Sequence, residues 1–419
     1  NEQEKPSLII VKSHIAYGSP NKQDSAAAHG APLGEDEVKA TKKFYGWDAE
    51  QNFYIPQQAK DYREQMIAKG ESTEADWQKE FDAYAAEYPD LAKEFDMIQK
   101  GELPPKWEDS LPVFPADEKG IASRSANGKV MNAIAAKIPW LMGGSADLAP
   151  STKTLLNDSD SFSKTVQNAR NLHFGVREHA MGAIVNGLTL SKLKGYGSTF
   201  LVFSDYMRPS IRLAALMEIP ALFIFTHDSI GVGEDGPTHQ PVEHIASLRA
   251  IPNIELIRPA DANECSVLWK HVLSLKDRPV ALALSRQNLP TLDREKYASA
   301  EGALKGGYIL VDSKDQPDVI LLGTGSEIQL CVAAYEKLTE QGINARVVSM
   351  PCWKLFDRQT ADYKESVLPK AVTARIAVEA GVKMGWSDYT GSKDAVIGID
   401  DFGSSAPLKD VMNEYGFTV

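Results

Sequence analysis

Short apolar segments alternate with amphipathic helical segments from about residue 116 to the end of the chain. Apolar runs of this length between helices are typical of parallel strands that are covered on both faces of a sheet. In 116–302 the predicted strands lie near Leu141 and at 172–176, 196–202, 221–226, 254–258 and 280–285. The predicted helices of that stretch are 124–138, 178–192, 204–217, 242–250 and 262–275.

The same alternation recurs on a smaller scale in 303–419. Strands are predicted at 319–322, 345–349, 374–379 and 396–399, with a helix at 327–341. We therefore predict an α/β fold with two doubly wound sheet domains, 116–302 and 303–419, preceded by a helical arm.

Residues 1–115 have a different texture. The apolar run at 8–11 predicts a short buried strand. Residues 35–112 are polar and helix-prone, with breaks expected at Pro56, Gly70, Pro89 and Pro104. Four aromatic residues in this arm recur at helical spacing and predict one packed helix face: Trp77, Phe81, Tyr84 and Tyr88.

Composition narrows the possible partners. The formal net charge of -12 disfavours a nucleic acid or an anionic membrane surface as the main partner, and no apolar run is long enough to span a membrane. The three cysteines, Cys265, Cys331 and Cys352, form no CxxC pair. This spacing disfavours structural zinc and disulfides and fits a reducing, cytoplasmic setting.

The loop at 226–241 combines two histidines, two aspartates and three glycines directly after a predicted strand. Ligands of open α/β sheets bind at the carboxyl ends of the strands. Either histidine alone could be a satisfied structural group, but both together on one short loop favour a functional site.

Within and beyond this loop the sequence resembles the transketolase family. The run GEDGPTHQPVEHIASLR at 233–249 is close to the family signature. Further family segments follow in the same order: HGAPLG at 29–34, IASR at 121–124, GGSADLAPS at 143–151, GVREHAM at 175–181 and SRQN at 285–288. The resemblance extends over the whole sequence and implies three regions: a remnant of an N-terminal diphosphate-binding domain with its linker arm at 1–115, a pyrimidine-binding domain at 116–302, and a C-terminal domain at 303–419.

The resemblance implies a set of residues that bind thiamine diphosphate. Glu178 would hydrogen-bond the N1′ nitrogen of the aminopyrimidine ring, which requires a carboxyl that holds its proton near neutral pH, as burial favours. Taken alone, Glu178 could equally be a surface residue at a helix start. The other implied cofactor-binding residues are Phe200, Phe203, Tyr206, Asp147 and His29.

The resemblance also implies a site for sugar phosphates. Arg124, Ser151, His227 and Arg286 match the family's phosphate-binding residues. Several convergent donors suit a phosphate dianion. Asp235 would read a substrate hydroxyl, and His239 and His29 would lie near the reacting atoms as catalytic residues together with Glu178.

The implied reaction is reversible transfer of a two-carbon ketol unit from a ketose phosphate to an aldose phosphate, via a thiamine-diphosphate carbanion, in the pentose phosphate pathway or the Calvin cycle. The family works as a homodimer and also needs Mg²⁺. No Gly-Asp-Gly segment, which forms the family's metal site, occurs in the sequence. We therefore expect no metal ligands here, most of the N-terminal domain to be lacking, and the chain alone to be inactive.

Three alternative interpretations remain open. The two-domain layout also resembles the beta subunit of 2-oxo-acid dehydrogenases, although that family does not explain the loop together with Arg124, Ser151 and Arg286. Dihydroxyacetone synthase is a rival within the family. A non-catalytic dimeric fragment is the alternative from a different class, and it is consistent with the absent metal segment.

Overall fold

The computed structural model of the protein describes Lys5 and residues 7–419. Within it the chain divides into two compact units, one up to Ala92 and the other from Lys93 to Val419.

The first unit is helical, as the polar arm predicts. Its helices are α1 Glu35–Phe44 and α2 Gln57–Glu87, and α3 Pro89–Lys100 runs across the division between the units. The breaks predicted at Pro56 and Pro89 are confirmed. The break at Gly70 is wrong, because a glycine inside a helix costs only about 1 kcal/mol and α2 continues through it.

The aromatic row on α2 forms as its spacing predicts. The rings of Trp77 and Phe81 stack with centroids 5.2 Å apart, and those of Tyr84 and Tyr88 are also 5.2 Å apart. Within the first unit, however, Trp77, Tyr84 and Tyr88 keep 40% or more of their surface exposed. The prediction of a packed helix face is therefore not borne out within this unit.

The strand predicted at 8–11 is wrong. These four side chains are 77–86% exposed, and no strand is assigned among the described residues before Asp117. A strand needs a neighbour for its backbone hydrogen bonds, and the described part of the first unit offers none.

The larger sheet of the second unit has six strands in the order β3-β2-β4-β5-β7-β6, and all of its ladders are parallel. Its strands are β2 Leu141–Ser145, β3 Asn171–His173, β4 Lys194–Phe200, β5 Leu222–Thr226, β6 Glu255–Ile257 and β7 Val280–Leu284. Its helices are α4 Ser123–Ala135, α5 Ala149–Thr152, α6 Glu178–Leu190, α7 Ser204–Leu216, α8 His244–Arg249 and α9 Ala262–Ser274. Two apolar clusters bury the faces of this sheet.

A two-stranded antiparallel sheet beside it was not predicted. It pairs β1 Asp117–Ala122 with β8 Asn288–Thr291. Neither segment has the alternation of apolar and polar residues that identifies a strand in the sequence. In β1 the polar residues come first, and only its last residue is buried. Gly120 lies against the Leu289 carbonyl, where a Cβ atom would come within 1.7 Å of the oxygen.

The smaller sheet has five strands in the order β13-β12-β10-β11-β9. They are β9 Tyr308–Val311, β10 Val319–Gly323, β11 Ala345–Ser349, β12 Arg375–Val378 and β13 Val396–Ile397. The helices of this region are α10 Ile328–Glu340, α11 Trp353–Asp357, α12 Ala361–Val367, α13 Ser387–Thr390 and α14 Leu408–Glu414. The edge strand β9 was not predicted. It runs antiparallel to β11, so this sheet is mixed. One apolar cluster includes residues of both sheets, among them Leu282 and Leu321.

None of the helices in the described part of the chain combines the length and apolar content that crossing a membrane requires. The three cysteines are free and buried.

Candidate active site

The carboxyl ends of neighbouring strands in the larger sheet bring the predicted site residues of the second unit together. Asp147 follows β2, Phe200 ends β4, His227 follows β5 and Arg286 follows β7. These strands are adjacent in the order β2-β4-β5-β7, so their ends lie along one edge. This is where an open α/β sheet binds its ligands.

An open cavity of about 700 Å³ lies at this edge. Six predicted site residues line it: Asp147, Glu178, Phe200, Phe203, Tyr206 and His239. Its wall also contains Val176, Arg177 and His179, which were not predicted as site residues. These three belong to the same GVREHAM segment as Glu178, and that segment was the available signal.

Glu178 is the first residue of α6 and is only 7% exposed. The hydroxyl of Thr199 donates to its Oε1 over 3.5 Å, the outer limit for a hydrogen bond. A buried carboxyl with one long hydrogen bond retains capacity for a stronger partner in the cavity.

A row of rings borders the same cavity. The rings of Phe200 and Phe203 lie nearly parallel, at 9°, with centroids 5.9 Å apart. The ring of His239 stands edge-on to Phe203 at 5.4 Å, and Tyr206 is 65% exposed. These rings offer both a flat face and an edge to a planar heterocycle.

A cationic cluster adjoins this cavity. The guanidinium of Arg124 donates from Nη1 to the Ser151 carbonyl over 2.7 Å and lies 3.3 Å from Nε2 of His227. The charge of Arg286 acts on both residues. The imidazole of His227 in turn lies 3.7 Å, centroid to centroid, from the ring of Phe200, which connects the cluster to the cavity.

His227 is neutral in this site. Burial and the neighbouring charges of Arg124 and Arg286 lower the pKa of His227 to about 3. Because an arginine can only donate, Nε2 of His227 is the acceptor for Arg124. The ring proton is then on Nδ1, which donates to the Thr226 hydroxyl over 2.8 Å.

Arg124 is half-buried, and its environment favours a bound anion. Burial lowers the pKa of Arg124, the charge of Arg286 lowers it further, and the carboxylate of Asp235 offsets part of that effect. Nε of Arg124 is buried without a hydrogen-bond partner among the described residues. An anion between the two arginines would satisfy this donor and relieve their repulsion.

The remaining predicted site residues make fewer contacts with the cavity and the cationic cluster. Asp235 and Arg286 are exposed near the cluster, and Ser151 contributes its carbonyl rather than its hydroxyl to Arg124. His29 is exposed in the first unit, and its role stays a prediction.

Three residues outside the cavity lining bring possible metal ligands together. Ligand atoms of Asp205, Glu243 and His244 lie within 4.8 Å of one another, and the Asp205 carboxylate is 3.2 Å from Nε2 of His244. Asp205 and Glu243 are exposed, and exposed carboxylates often lie together without an ion, so we assign no metal to this group.

A buried arginine behind the His227 loop was missed. Arg258 is 1% exposed and pairs with Asp228, the residue after His227. An arginine directly after a buried apolar strand, as in the Ile-Arg-Pro sequence at 257–259, was the available signal.

Fold and site together define an α/β protein of two sheet domains with a carboxyl- and ring-lined cavity beside a cationic cluster. Three family descriptions match the chain: "Transketolase, thiamine diphosphate binding domain" over residues 1–104, "Transketolase, pyrimidine binding domain" over 119–291, and "Transketolase-like TK C-terminal domain" over 306–418. The diphosphate-binding domain is therefore represented in the chain over residues 1–104, and the expectation that most of it is lacking is corrected to that extent.

Similar proteins agree. The chain is 51% identical to the transketolase of Halalkalibacterium halodurans over 99% of its own length and 62% of that protein. It is 48% identical to the chloroplastic transketolase of Craterostigma plantagineum, covering 100% of this chain and 80% of the relative. A transketolase structure from Pichia stipitis in complex with sedoheptulose 7-phosphate superposes with a TM-score of 0.91 at 40% identity, over 97% of this chain and 60% of that one.

The chain belongs to the transketolase family. It spans about 62% of the length of the bacterial relative, so activity, substrates and partners of the whole protein are treated as proposals below.

Proposed function

We propose that the protein is a transketolase, which transfers a two-carbon ketol unit between sugar phosphates with thiamine diphosphate as cofactor. The main observation is the contact between two chemically different parts of one site. The cavity with the buried carboxyl of Glu178 and its rings meets the Arg124–His227 cluster through the 3.7 Å approach of Phe200 to His227. A transketolase needs a cofactor pocket and a phosphate pocket side by side.

The cavity residues fit the aminopyrimidine part of the cofactor. When bound, thiamine diphosphate supplies the nucleophilic carbon and the electron sink that cleavage of a ketose carbon–carbon bond requires. Glu178 would hold a proton at its Oε atom for the ring nitrogen, and the long Thr199 contact leaves that atom available. Phe200, Phe203 and Tyr206 would stack on the ring and exclude water, and Asp147 would contact the cofactor at the cavity edge.

The cationic cluster fits the substrate phosphate. Arg124 and Arg286 would bind the phosphate oxygens, with Ser151 and His227 completing the pocket. His227 accepts from Arg124 in the structure, so it must gain a proton or change tautomer to donate to a phosphate. Asp235 would accept a hydrogen bond from a substrate hydroxyl, and His239 and His29 would face the reacting end of the sugar.

Magnesium and a homodimer complete the proposal. The cofactor diphosphate carries charges that a divalent cation neutralises, and we assign none of its ligands to this chain. The proposal also includes domain boundaries at 115/116 and 302/303.

The test is an assay of the protein as its source makes it, with thiamine diphosphate and Mg²⁺. Conversion of xylulose 5-phosphate and ribose 5-phosphate is expected, with no turnover of pyruvate or other 2-oxo acids. Turnover of a 2-oxo acid instead would favour the dehydrogenase subunit, and formaldehyde as the preferred acceptor would favour dihydroxyacetone synthase. A stable dimer that turns over none of them would favour the non-catalytic fragment.

A further inference from the structure

Four buried charged groups lie behind the proposed phosphate pocket, and no step of the proposed reaction uses them. They are Asp228, Arg258, Glu327 and Glu379, each 2% exposed or less. Asp228 and Arg258 belong to the larger sheet domain, and the two glutamates belong to the smaller one. Buried charges are expensive unless they are paired, so each must have a fixed partner.

The conformation of His227 requires support. Its φ of 60° lies in the left-handed region, which residues with a side chain rarely adopt. A strained conformation of this kind persists only where the surrounding structure holds it. Its neighbour in the chain, Asp228, is therefore in a position to fix it.

Asp228 has one strong partner. Its Oδ2 accepts from Nε of Arg258 over 2.7 Å, while its Oδ1 has no hydrogen-bond partner among the described residues. The position of Asp228 consequently depends on where the guanidinium of Arg258 lies.

The smaller sheet domain determines that position. Arg258 donates from Nη1 to the Thr324 carbonyl over 3.1 Å and to Glu327, and from Nη2 to the Ser326 hydroxyl over 3.2 Å. The backbone N–H of Gly325 donates to the Arg258 carbonyl over 3.1 Å. A Cβ atom on Gly325 would lie 2.6 Å from the Arg258 side chain, so the turn after β10 encloses the arginine closely.

We infer that Arg258 is a positioning residue through which the smaller sheet domain, by way of Asp228, holds His227 in the phosphate pocket. This inference rests on the proposed function. The affinity for the phosphate of a sugar substrate would then depend on a domain that, among the described residues, contributes none to the cavity or the cationic cluster.

Arg258 could instead only stabilise the fold, without affecting His227. Two variants of Asp228 separate this structural role from the positioning role. Asp228→Ala removes the link between Arg258 and the loop, and Asp228→Asn weakens it with little change of shape. Glu379→Gln is the control, because it removes a buried negative charge whose close partner is Arg249, at 2.7 and 2.8 Å, and leaves the Asp228–Arg258 pair intact.

The experiment measures binding of ribose 5-phosphate and of ribose by titration calorimetry, with the protein as its source makes it. We expect Asp228→Ala to weaken ribose 5-phosphate binding by about tenfold or more and Asp228→Asn by less, with ribose binding unchanged. Glu379→Gln should leave both affinities within about twofold of wild type. Thermal unfolding of each variant identifies any that fails to fold, in which case Asp228→Asn decides.

Each other outcome has a definite meaning. If wild type binds ribose 5-phosphate and the Asp228 variants bind it equally well, Arg258 is only a structural brace and the inference is overturned. An equal loss for Glu379→Gln overturns it too, since a general weakening of the buried ion pairs, and not the Asp228–Arg258 pair, would then account for both losses. If wild type itself binds no sugar phosphate, the proposed function fails first.

Discussion

At the residue scale, the cavity combines one buried carboxyl, that of Glu178, with the rings of Phe200 and Phe203. Glu178 has little exposure and, among the described residues, one long hydrogen bond, so its surroundings leave it available to a ligand. This arrangement suits a carboxyl that holds or moves a proton at a ring nitrogen of a ligand.

Replacement of Glu178 by glutamine tests this role. The amide can donate a hydrogen bond but cannot move a proton, so turnover is expected to fall by about 100-fold or more with the fold intact. Steady-state rates with saturating cofactor and circular dichroism measure the two effects. Glu340→Gln, at an exposed position of α10, is the control. Wild-type rates in Glu178→Gln would remove the assignment.

The pH dependence of stability tests the state of His227. Its folded pKa of about 3 lies below the ordinary value of 6.5, so the folded protein binds this proton less readily than the unfolded chain. Its contribution to stability is complete above pH 6.5 and declines as the pH falls toward 3, by up to about 1.4 kcal/mol per pH unit.

Urea unfolding of wild type and His227→Asn at several values between pH 4 and 7 measures this effect. The variant should show a shallower loss of stability on acidification. The control His179→Asn changes an exposed imidazole and should keep the wild-type slope. Parallel curves for wild type and His227→Asn would show that His227 is not buried in its neutral form.

At the scale of elements, helix α6 positions Glu178 and offers an internal comparison of two glycines. A Cβ atom at Gly182 would meet Met207 Cγ at 2.7 Å and Ser210 Cβ at 2.8 Å, whereas one at Gly187 would meet no atom of the described residues within 4 Å. Gly182 therefore allows α6 and α7 to pack closely, and Gly187 has no such role.

Alanine at each position should change stability in opposite directions. Gly187→Ala is expected to raise the free energy of unfolding by about 1 kcal/mol, because alanine favours a helix. Gly182→Ala is expected to lower it by about 1–3 kcal/mol through overpacking against α7. Denaturant unfolding of both variants measures the difference, and equal effects would contradict the packing of α6 on α7.

The elements that the sequence predicted well are the ones with a clear local pattern. The strand at 345–349 matches β11 in full, and α9 begins at the predicted residue with Asp261 as its N-cap. The missed strands β1, β8 and β9 are short segments. In addition, β1 and β8 pair with each other although they lie far apart in the sequence. The strand prediction at 8–11 was wrong although its local pattern is clear, because the described residues offer this segment no neighbouring strand.

At the scale of the whole second unit, the two sheet domains are joined by the buried ion pairs around Arg258. Besides the pairs described above, Arg249 binds Glu379 with both terminal nitrogens, at 2.7 and 2.8 Å, and lies over the Trp353 ring. Burial raises the pKa of Glu327, while its pairing with Arg258 lowers it. The net effect is a raised pKa, which shows how much this carboxylate depends on the arginine to remain charged.

Arg258→Met tests this junction. Loss of the cation leaves carboxylates buried without a partner, so the free energy of unfolding should fall by about 3–5 kcal/mol at pH 8. The loss should be smaller at pH 5, because a buried carboxyl with a raised pKa takes up a proton there more easily. Thermal unfolding at the two pH values measures it, and an equal loss at both would argue against stranded carboxylates. Lys270→Met, which removes an exposed pair with Glu301, is the control.

The sequence by itself determined the class of fold, the family and most residues of the candidate site, because these depend on local periodicity and on long contiguous motifs. Its segments named Glu178, Phe200, His227 and Arg124 without showing that they meet. Tertiary structure alone decided that Nε2 of His227 accepts from Arg124, that Glu178 has only one long hydrogen bond within the described part of the chain, and that Arg258 connects the loop to the smaller sheet domain. Burial and charge pairing depend on residues that are distant in the chain, and local patterns cannot encode them.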